Sequence, residues 1–138
     1  MGTPLRATVL VADGYLDLEF WFPVLRLREA GAEVAIAAPS AEGTVYSSLG
    51  YPVIADISLA AATAETDLVV VPGGDAGRAL GADPEAVRLV SSAAQAGARV
   101  VAIGTGSQLA DAAGVSVAAA CDDADGLPPL FRRLLAPT

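Results

Sequence analysis

The sequence predicts an α/β fold with a mostly parallel sheet that carries helices on both of its faces. Short, β-branched apolar segments alternate along the chain with longer amphipathic segments. The short segments are apolar throughout rather than at every second residue, which is typical of strands buried on both faces. The chain has 138 residues, of which 54% are hydrophobic and 17% charged. We therefore expect one domain that spans residues 1–138.

The predicted strands and helices follow one another along the chain. Strands are predicted at residues 7–12, 33–38, 67–71, 99–103 and 115–119, with short extended pieces at 44–47 and 53–57. Helices are predicted at residues 16–30, 84–96, 108–113 and 127–135. In the first helix, Leu18, Phe22 and Leu25 recur at the i, i+4, i+7 spacing, so we predict that they share its apolar face. Pro23 lies inside that helix and predicts a kink or the start of its regular part.

The composition excludes several classes of active site. Acidic residues outnumber basic ones by 16 to 8, the net charge is −8, and all eight basic residues are arginines. Without histidine or lysine, the chain cannot build a histidine-based triad, a histidine-ligated metal site, a lysine Schiff base or a Walker-type phosphate loop. It offers no basic stripe for nucleic acid and no attraction to an anionic membrane. We therefore expect neither partner, no bound metal and no cofactor.

The single cysteine, Cys121, cannot form an internal disulfide, which favours a reducing compartment. Residues 1–6 lack the basic start and long apolar stretch of a secretory signal, so we expect a cytoplasmic protein. Two aspartates follow Cys121 and would disfavour its thiolate. A plain, half-buried thiol is therefore the leading interpretation of this residue.

Three segments follow the carboxyl ends of predicted strands, at residues 13–19, 72–78 and 104–108. In an open parallel sheet such segments meet at one edge and form the ligand site. The second and third segments supply the candidate binding residues Gly73, Gly74, Gly104, Gly106 and Ser107. Their backbone amides would favour negative charge and could form an oxyanion hole. The alternatives are tight turns that need glycine for their dihedral angles and, for the third segment, a nucleotide-binding loop.

The first segment carries four candidate site residues: Asp13, Tyr15, Asp17 and Glu19. Acidic residues suit a helix N-terminus whatever the function, so Asp13 and Asp17 also have a structural explanation. Tyr15 could line the pocket or pack in the core. Glu19 differs because its sequence neighbours are apolar. Burial there would raise its pKa, and the carboxyl group could act as a general acid or base near neutral pH.

Several stretches resemble the class I glutamine-amidotransferase-like superfamily, and within it the branch of the PfpI-type intracellular proteases and the parkinsonism-linked deglycase. The matching stretches include DLVVVPGG and VVAIGTGSQLADAAGV, and together they cover residues 11–39, 50–59, 67–74, 83–90 and 100–115. The resemblance implies a flavodoxin-like three-layer sandwich. It also implies a homodimer.

The resemblance also implies the site residues, and there the chain departs from the family. The family's strand-to-helix turn typically reads Ala-Ile-Cys-His-Gly, whereas residues 102–106 read Ala-Ile-Gly-Thr-Gly. Gly104 stands in place of the nucleophilic cysteine, and Thr105 stands in place of the histidine. The position of the family's acid holds Glu19. The oxyanion-hole amides are, by position, those of Gly74 and Thr105.

Two consequences of these departures concern the space around Glu19. Glycine at position 104 adopts a strained backbone without cost and is expected to leave room where the sulfur stood. Residues 125–135 resemble the family's final helix but follow Val115 almost at once, so about one supersecondary unit is missing. The pocket is therefore expected to be more open, or covered by a partner subunit. Cys121 falls near the family's pocket wall and could line the site.

Two functions remain open. In the first, Glu19 moves a proton while the Gly74 and Thr105 amides hold a developing oxyanion, without a covalent intermediate. Hydration, elimination, isomerisation, ring opening or cyclisation of a small carbonyl compound would suit this arrangement, and the composition suggests a bacterial, specialised metabolism. In the second, the chain is a catalytically inactive homodimer that binds a small molecule or serves as a scaffold.

Overall fold

A computed structural model describes residues 3–40 and 42–136. The expectation that residues 1–6 carry no secretory signal falls partly on residues 1 and 2, which lie outside the described residues. The strands are β1 (Arg6–Leu10), β2 (Glu33–Ala38), β3 (Thr44–Tyr46), β4 (Pro52–Ile54), β5 (Ile57–Ser58), β6 (Leu68–Val71), β7 (Arg99–Ile103) and β8 (Ala119–Cys121). The helices are α1 (Asp17–Glu29), α2 (Gly74–Gly81), α3 (Pro84–Gln95), α4 (Ser107–Ala113) and α5 (Leu127–Leu134).

Six strands form one parallel sheet in the order β5-β2-β1-β6-β7-β8, which confirms the predicted fold class. The central strands β1, β6 and β7 are buried along almost their whole length, because helices cover both faces. Helices α1 and α5 pack against each other, while α2, α3 and α4 pack together as a second group. Strands β3 and β4 form a separate antiparallel hairpin.

The strand order places a switch point between β1 and β6. From β1 the chain continues through α1 to β2 on one side, and from β6 it continues through α2 and α3 to β7 on the other. Right-handed crossovers in opposite directions put the intervening helices on opposite faces and leave a crevice beyond the carboxyl ends of the two strands. The beginnings of α1 and α2 flank this crevice.

The apolar face of α1 differs from the prediction. Leu18 is 70% exposed and Leu25 is 53% exposed, whereas Phe20, Val24 and Leu27 are fully buried. The buried residues have the same i, i+4, i+7 spacing two positions later in the sequence. Because α1 is apolar on most of its surface, spacing alone does not distinguish these faces. Pro23 lies inside the helix without ending it.

Two further elements differ from the prediction. Residues 74–81 form helix α2, although their glycines led to the prediction of a loop at 72–78. The last strand is Ala119–Cys121 rather than residues 115–119, because its pairing with β7 aligns Val101 with Ala119 and Ile103 with Cys121.

Within residues 3–40 and 42–136, no helix is long and apolar enough to cross a bilayer.

Two alanine substitutions in α1 test which face is inward. We expect Leu27→Ala to lower the free energy of unfolding by about 2–5 kcal/mol, because it opens a cavity in the core. Leu25→Ala removes the same atoms from an exposed position and is expected to change it by no more than about 0.5 kcal/mol. Urea unfolding of both variants measures the difference. Equal losses would contradict the orientation of α1.

Candidate functional site

Glu19 is a buried acid without a hydrogen-bond partner. It lies in the first turn of α1, is only 6% exposed, and its Oε1 atom is buried and unpaired within the described residues. No ion pair involves Glu19 in residues 3–40 and 42–136. A buried polar atom left unpaired costs about 1–3 kcal/mol, so this placement is unfavourable for the fold alone.

The turn after β6 approaches the Glu19 carboxyl group closely. A Cβ atom on Gly73 would lie 2.5 Å from Glu19 Oε1 and 2.8 Å from the Ile103 carbonyl oxygen. Only glycine fits between these two atoms. Because residue 73 is a glycine, the C-terminal ends of β6 and β7 can lie directly against the Glu19 side chain.

Gly104 follows β7 in a left-handed backbone conformation, with φ of +52°. A Cβ atom at this position would point towards Glu19 Oε1, at 3.9 Å. It would also lie 3.1 Å from the Asp122 carbonyl oxygen. The space beside Gly104 was expected to be free. The Asp122 backbone, at the end of β8, instead closes one side of it.

The electrostatic surroundings of Glu19 favour its protonated form. Burial raises the pKa of Glu19, the nearby Asp123 carboxylate raises it further, and the Gly73 backbone amide offsets part of this increase. The amide is close, but no hydrogen bond of normal geometry reaches Oε1. Burial also raises the pKa of the Cys121 thiol, with smaller contributions from the charges of Glu19 and Asp123.

Glu19 lines a groove of about 420 Å³. Its other lining residues come from the start of α1, from the segment after β3 and from the segment after β8: Leu16, Asp17, Leu18, Ser48, Leu49, Asp123, Ala124 and Asp125. Gly74, Gly104 and Thr105 are absent from this lining, so the predicted oxyanion amides do not border the groove. The described residues hold no group of three or more His, Cys, Asp or Glu side chains placed to bind a metal ion.

The other candidates in the first segment have different surroundings. Asp13 is exposed, and its Oδ1 accepts a hydrogen bond from the Tyr46 amide at 2.9 Å. Tyr15 is fully buried and donates to the Tyr51 carbonyl oxygen at 2.8 Å. Both residues thus connect β1 to the β3–β4 hairpin. Asp17 does line the groove, and its Oδ2 atom is buried and unpaired within the described residues.

The candidates in the glycine-rich turns mainly pack α2 against the turn after β7. The Thr105 hydroxyl donates to the Gly74 carbonyl oxygen at 2.6 Å. A Cβ atom on Gly106 would lie 2.7 Å from the carbonyl oxygens of Pro72 and Val71, so this glycine is required for packing. Ser107 is exposed at the start of α4. The Gly74 amide lies in the first turn of α2, and the Thr105 amide lies in a short 3-10 helix at Gly104–Gly106. Backbone N–H groups at the start of a helix lack partners within the helix.

Sequence reasoning missed Asp123 and Asp125. Both line the groove, and Asp123 raises the pKa of Glu19. The signal was available, because three of the four residues after Cys121 are aspartates, Asp123 and Asp125 among them. Placing the last strand at residues 115–119 moved these aspartates away from the strand's carboxyl end. Cys121 pairs with Ile103 next to the turn but is absent from the groove lining.

Comparison with known proteins identifies the family. A model of the DJ-1/PfpI family matches residues 5–121, which is most of the chain. The chain belongs to the DJ-1/PfpI family. Membership confirms the resemblance found in the sequence, and the parallel six-stranded sheet agrees with the flavodoxin-like fold of DJ-1/PfpI proteins.

The curated relatives of this DJ-1/PfpI chain include proteins named deglycases. Deglycase TK1284 of Thermococcus kodakarensis is 32% identical over 112 residues, which cover 80% of this chain and 67% of the relative. A protein in the cpoL 5′ region of Streptomyces lividans is 37% identical over 116 residues, which cover 81% of this chain and 82% of that protein. The chain thus spans about two thirds of the length of the deglycase.

Solved DJ-1/PfpI structures agree with this fold. The crystal structure of Drosophila melanogaster DJ-1beta superposes with a TM-score of 0.77 at 28% identity. The match covers 83% of this chain and 62% of that structure's chain. It therefore supports the architecture for most of this chain and leaves more than a third of the fly protein unmatched.

Two glycine substitutions test the contact between Gly104 and the Asp122 carbonyl oxygen. Gly114 also has a left-handed backbone, with φ of +68°, but a Cβ atom there would meet nothing within 4 Å. Alanine at either site should lower the free energy of unfolding by about 1–2 kcal/mol, because an alanine in a left-handed backbone conformation is strained. We expect Gly104→Ala to lose about 1 kcal/mol more in urea unfolding, because its Cβ atom also meets Asp122. Equal losses of unfolding free energy in the two variants would show that Asp122 does not restrict the space beside Gly104.

Proposed function

We propose that the chain is an enzyme in which Glu19 transfers a proton to or from a small carbonyl compound, without forming a covalent intermediate. The observation that carries the proposal is the buried, unpaired Glu19 carboxyl group beside the groove. Its raised pKa makes the Glu19 carboxylate a stronger base than an ordinary carboxylate, which suits a group that takes up and releases a proton. Perturbed acids in clefts are typical of functional sites.

The proposed reaction starts with a proton transfer at Glu19. The ionised carboxylate removes a proton from the carbon next to a carbonyl group, or from a water molecule that attacks the carbonyl carbon. The protonated carboxyl group then returns this proton to the product. Hydration, elimination, isomerisation, ring opening and cyclisation all follow this scheme, and the deglycase names of several relatives suggest glycated amines as further test compounds.

Covalent cysteine chemistry has little support in this chain. Position 104, whose Cβ would face Glu19, is a glycine. The only cysteine, Cys121, lies on β8 rather than in the turn. Its raised pKa disfavours the thiolate that such chemistry needs.

The second candidate function is a catalytically inactive homodimer that binds a ligand or serves as a scaffold. Two observations favour it. The Asp122 carbonyl oxygen crowds the position beside Gly104, and the predicted oxyanion amides of Gly74 and Thr105 do not border the groove. In that case the groove would bind without turning over its ligand.

Substitution of Glu19 distinguishes the two functions. A panel of small carbonyl compounds and glycated amines is first screened for turnover by the wild-type protein. On any compound that reacts, we expect Glu19→Gln to lower kcat about 10²- to 10⁴-fold, because glutamine keeps the shape but cannot transfer the proton. Asp111→Asn, which removes an exposed charge from α4, is expected to leave kcat unchanged.

Two results would contradict the proposal. Undiminished turnover by Glu19→Gln would remove Glu19 from the mechanism. A panel that yields no turnover with the wild-type protein would favour the inactive homodimer instead.

A further inference from the structure

We propose that the groove beside Glu19 binds a small organic cation, an ammonium or amidinium group carried on a compact apolar body. This inference deepens the proposed function, because it names the substrate class of the same groove and rests on Glu19 acting there. The binding itself needs no turnover. It can therefore be tested separately from catalysis.

The charged side chains that line the groove are all acidic. Its lining contains the four acidic residues Asp17, Glu19, Asp123 and Asp125 and no arginine. Three arginines form ion pairs elsewhere: Arg6 with Asp67, Arg78 with Asp75 and Arg88 with Glu85. Acidic groups that converge on one cleft raise the local concentration of cations and repel anions.

Two acidic residues of the groove each carry a buried carboxyl oxygen that lacks a hydrogen-bond donor. Glu19 Oε1 and Asp17 Oδ2 are the buried side-chain oxygen atoms that remain unpaired in the described part of the chain, and both residues line the groove. Solvated acids on a surface need no such partner, but buried oxygens do. These two oxygens are closed off from solvent, so each carboxyl group is poorly solvated. A cation in the groove would stabilise the negative charge of both groups at close range.

The shape of the groove favours an organic cation over a metal ion. The described residues offer no cluster of three or more acidic, cysteine or histidine side chains placed to bind a metal. The groove has a volume of about 420 Å³, far more than a single ion occupies. Leu16, Leu18 and Leu49 also line the groove and are exposed to solvent. An apolar body of a few carbon atoms would cover these leucines.

Three probes of equal length test the charge preference: n-butylammonium, n-butanol and n-butyrate, titrated at pH 7.5 and constant ionic strength. Amide chemical shifts of residues 16–19, 48–49 and 123–125 report the binding. We expect n-butylammonium to bind about tenfold more tightly than n-butanol and n-butyrate to show no saturable binding. The affinity for n-butylammonium should also fall as salt is added.

Matched variants locate the binding site. We expect Asp17→Asn and Asp123→Asn each to weaken n-butylammonium binding about three- to tenfold. Asp111→Asn removes an equal charge from an exposed site on α4 and should leave the affinity within about twofold of wild type. Circular dichroism confirms that each variant is folded, and the spectral shifts identify the groove even if one variant unfolds.

Three results would overturn the inference: n-butanol binding as tightly as n-butylammonium, saturable binding of n-butyrate, or displacement of n-butylammonium by millimolar Mg²⁺ or Ca²⁺. The last result would assign the groove to a metal ion. Failure here leaves the kinetic test of Glu19→Gln untouched. Conversely, a Glu19→Gln variant with full turnover would refute the catalytic role without altering the charge preference of the groove.

Discussion

The burial of the Glu19 carboxyl group without a partner is the constraint on which the rest of the site depends. The group lies in the first turn of α1, against the turn after β6, and its Oε1 atom receives no hydrogen bond. Burial and the nearby Asp123 carboxylate both oppose its ionisation. Such a group destabilises the fold near neutral pH, and this cost is the ground on which we propose a functional role for Glu19.

By the family resemblance, the turn after β7 is the place of a nucleophilic side chain, and this chain has Gly104 there. Gly104 has a left-handed backbone, and a Cβ atom there would face Glu19 Oε1. The Asp122 backbone partly fills the space beside it. The open volume lies instead on the other side of Glu19, between α1 and the segment after β8. This position of the open space is the geometric basis of our proposal that Glu19 itself acts on the ligand.

The fold was predictable from sequence because it depends on local patterns that agree with one another. Uniformly apolar strands and glycine or aspartate at their ends indicated the parallel sheet and its ligand edge. The prediction was wrong where a local pattern allows several solutions. Two sets of residues in α1 share the same spacing, and core packing selects Phe20 rather than Leu18. The end of β8 is set by pairing with β7, so the roles of Asp123 and Asp125 could not be predicted from a strand placed too early.

The pH dependence of stability tests the central claim most directly. The pKa of Glu19 is higher in the folded protein than its unfolded value of about 4.5, so the folded protein keeps the Glu19 proton to higher pH. Glu19 therefore lowers the free energy of unfolding more and more as the pH rises from about 4.5 through the folded-state pKa. Glu19→Gln lacks this penalty. In urea unfolding between pH 4 and 8, we predict that the variant gains stability relative to wild type as pH rises. A difference that stays constant or shrinks over this range would show that the folded protein does not raise the pKa of Glu19.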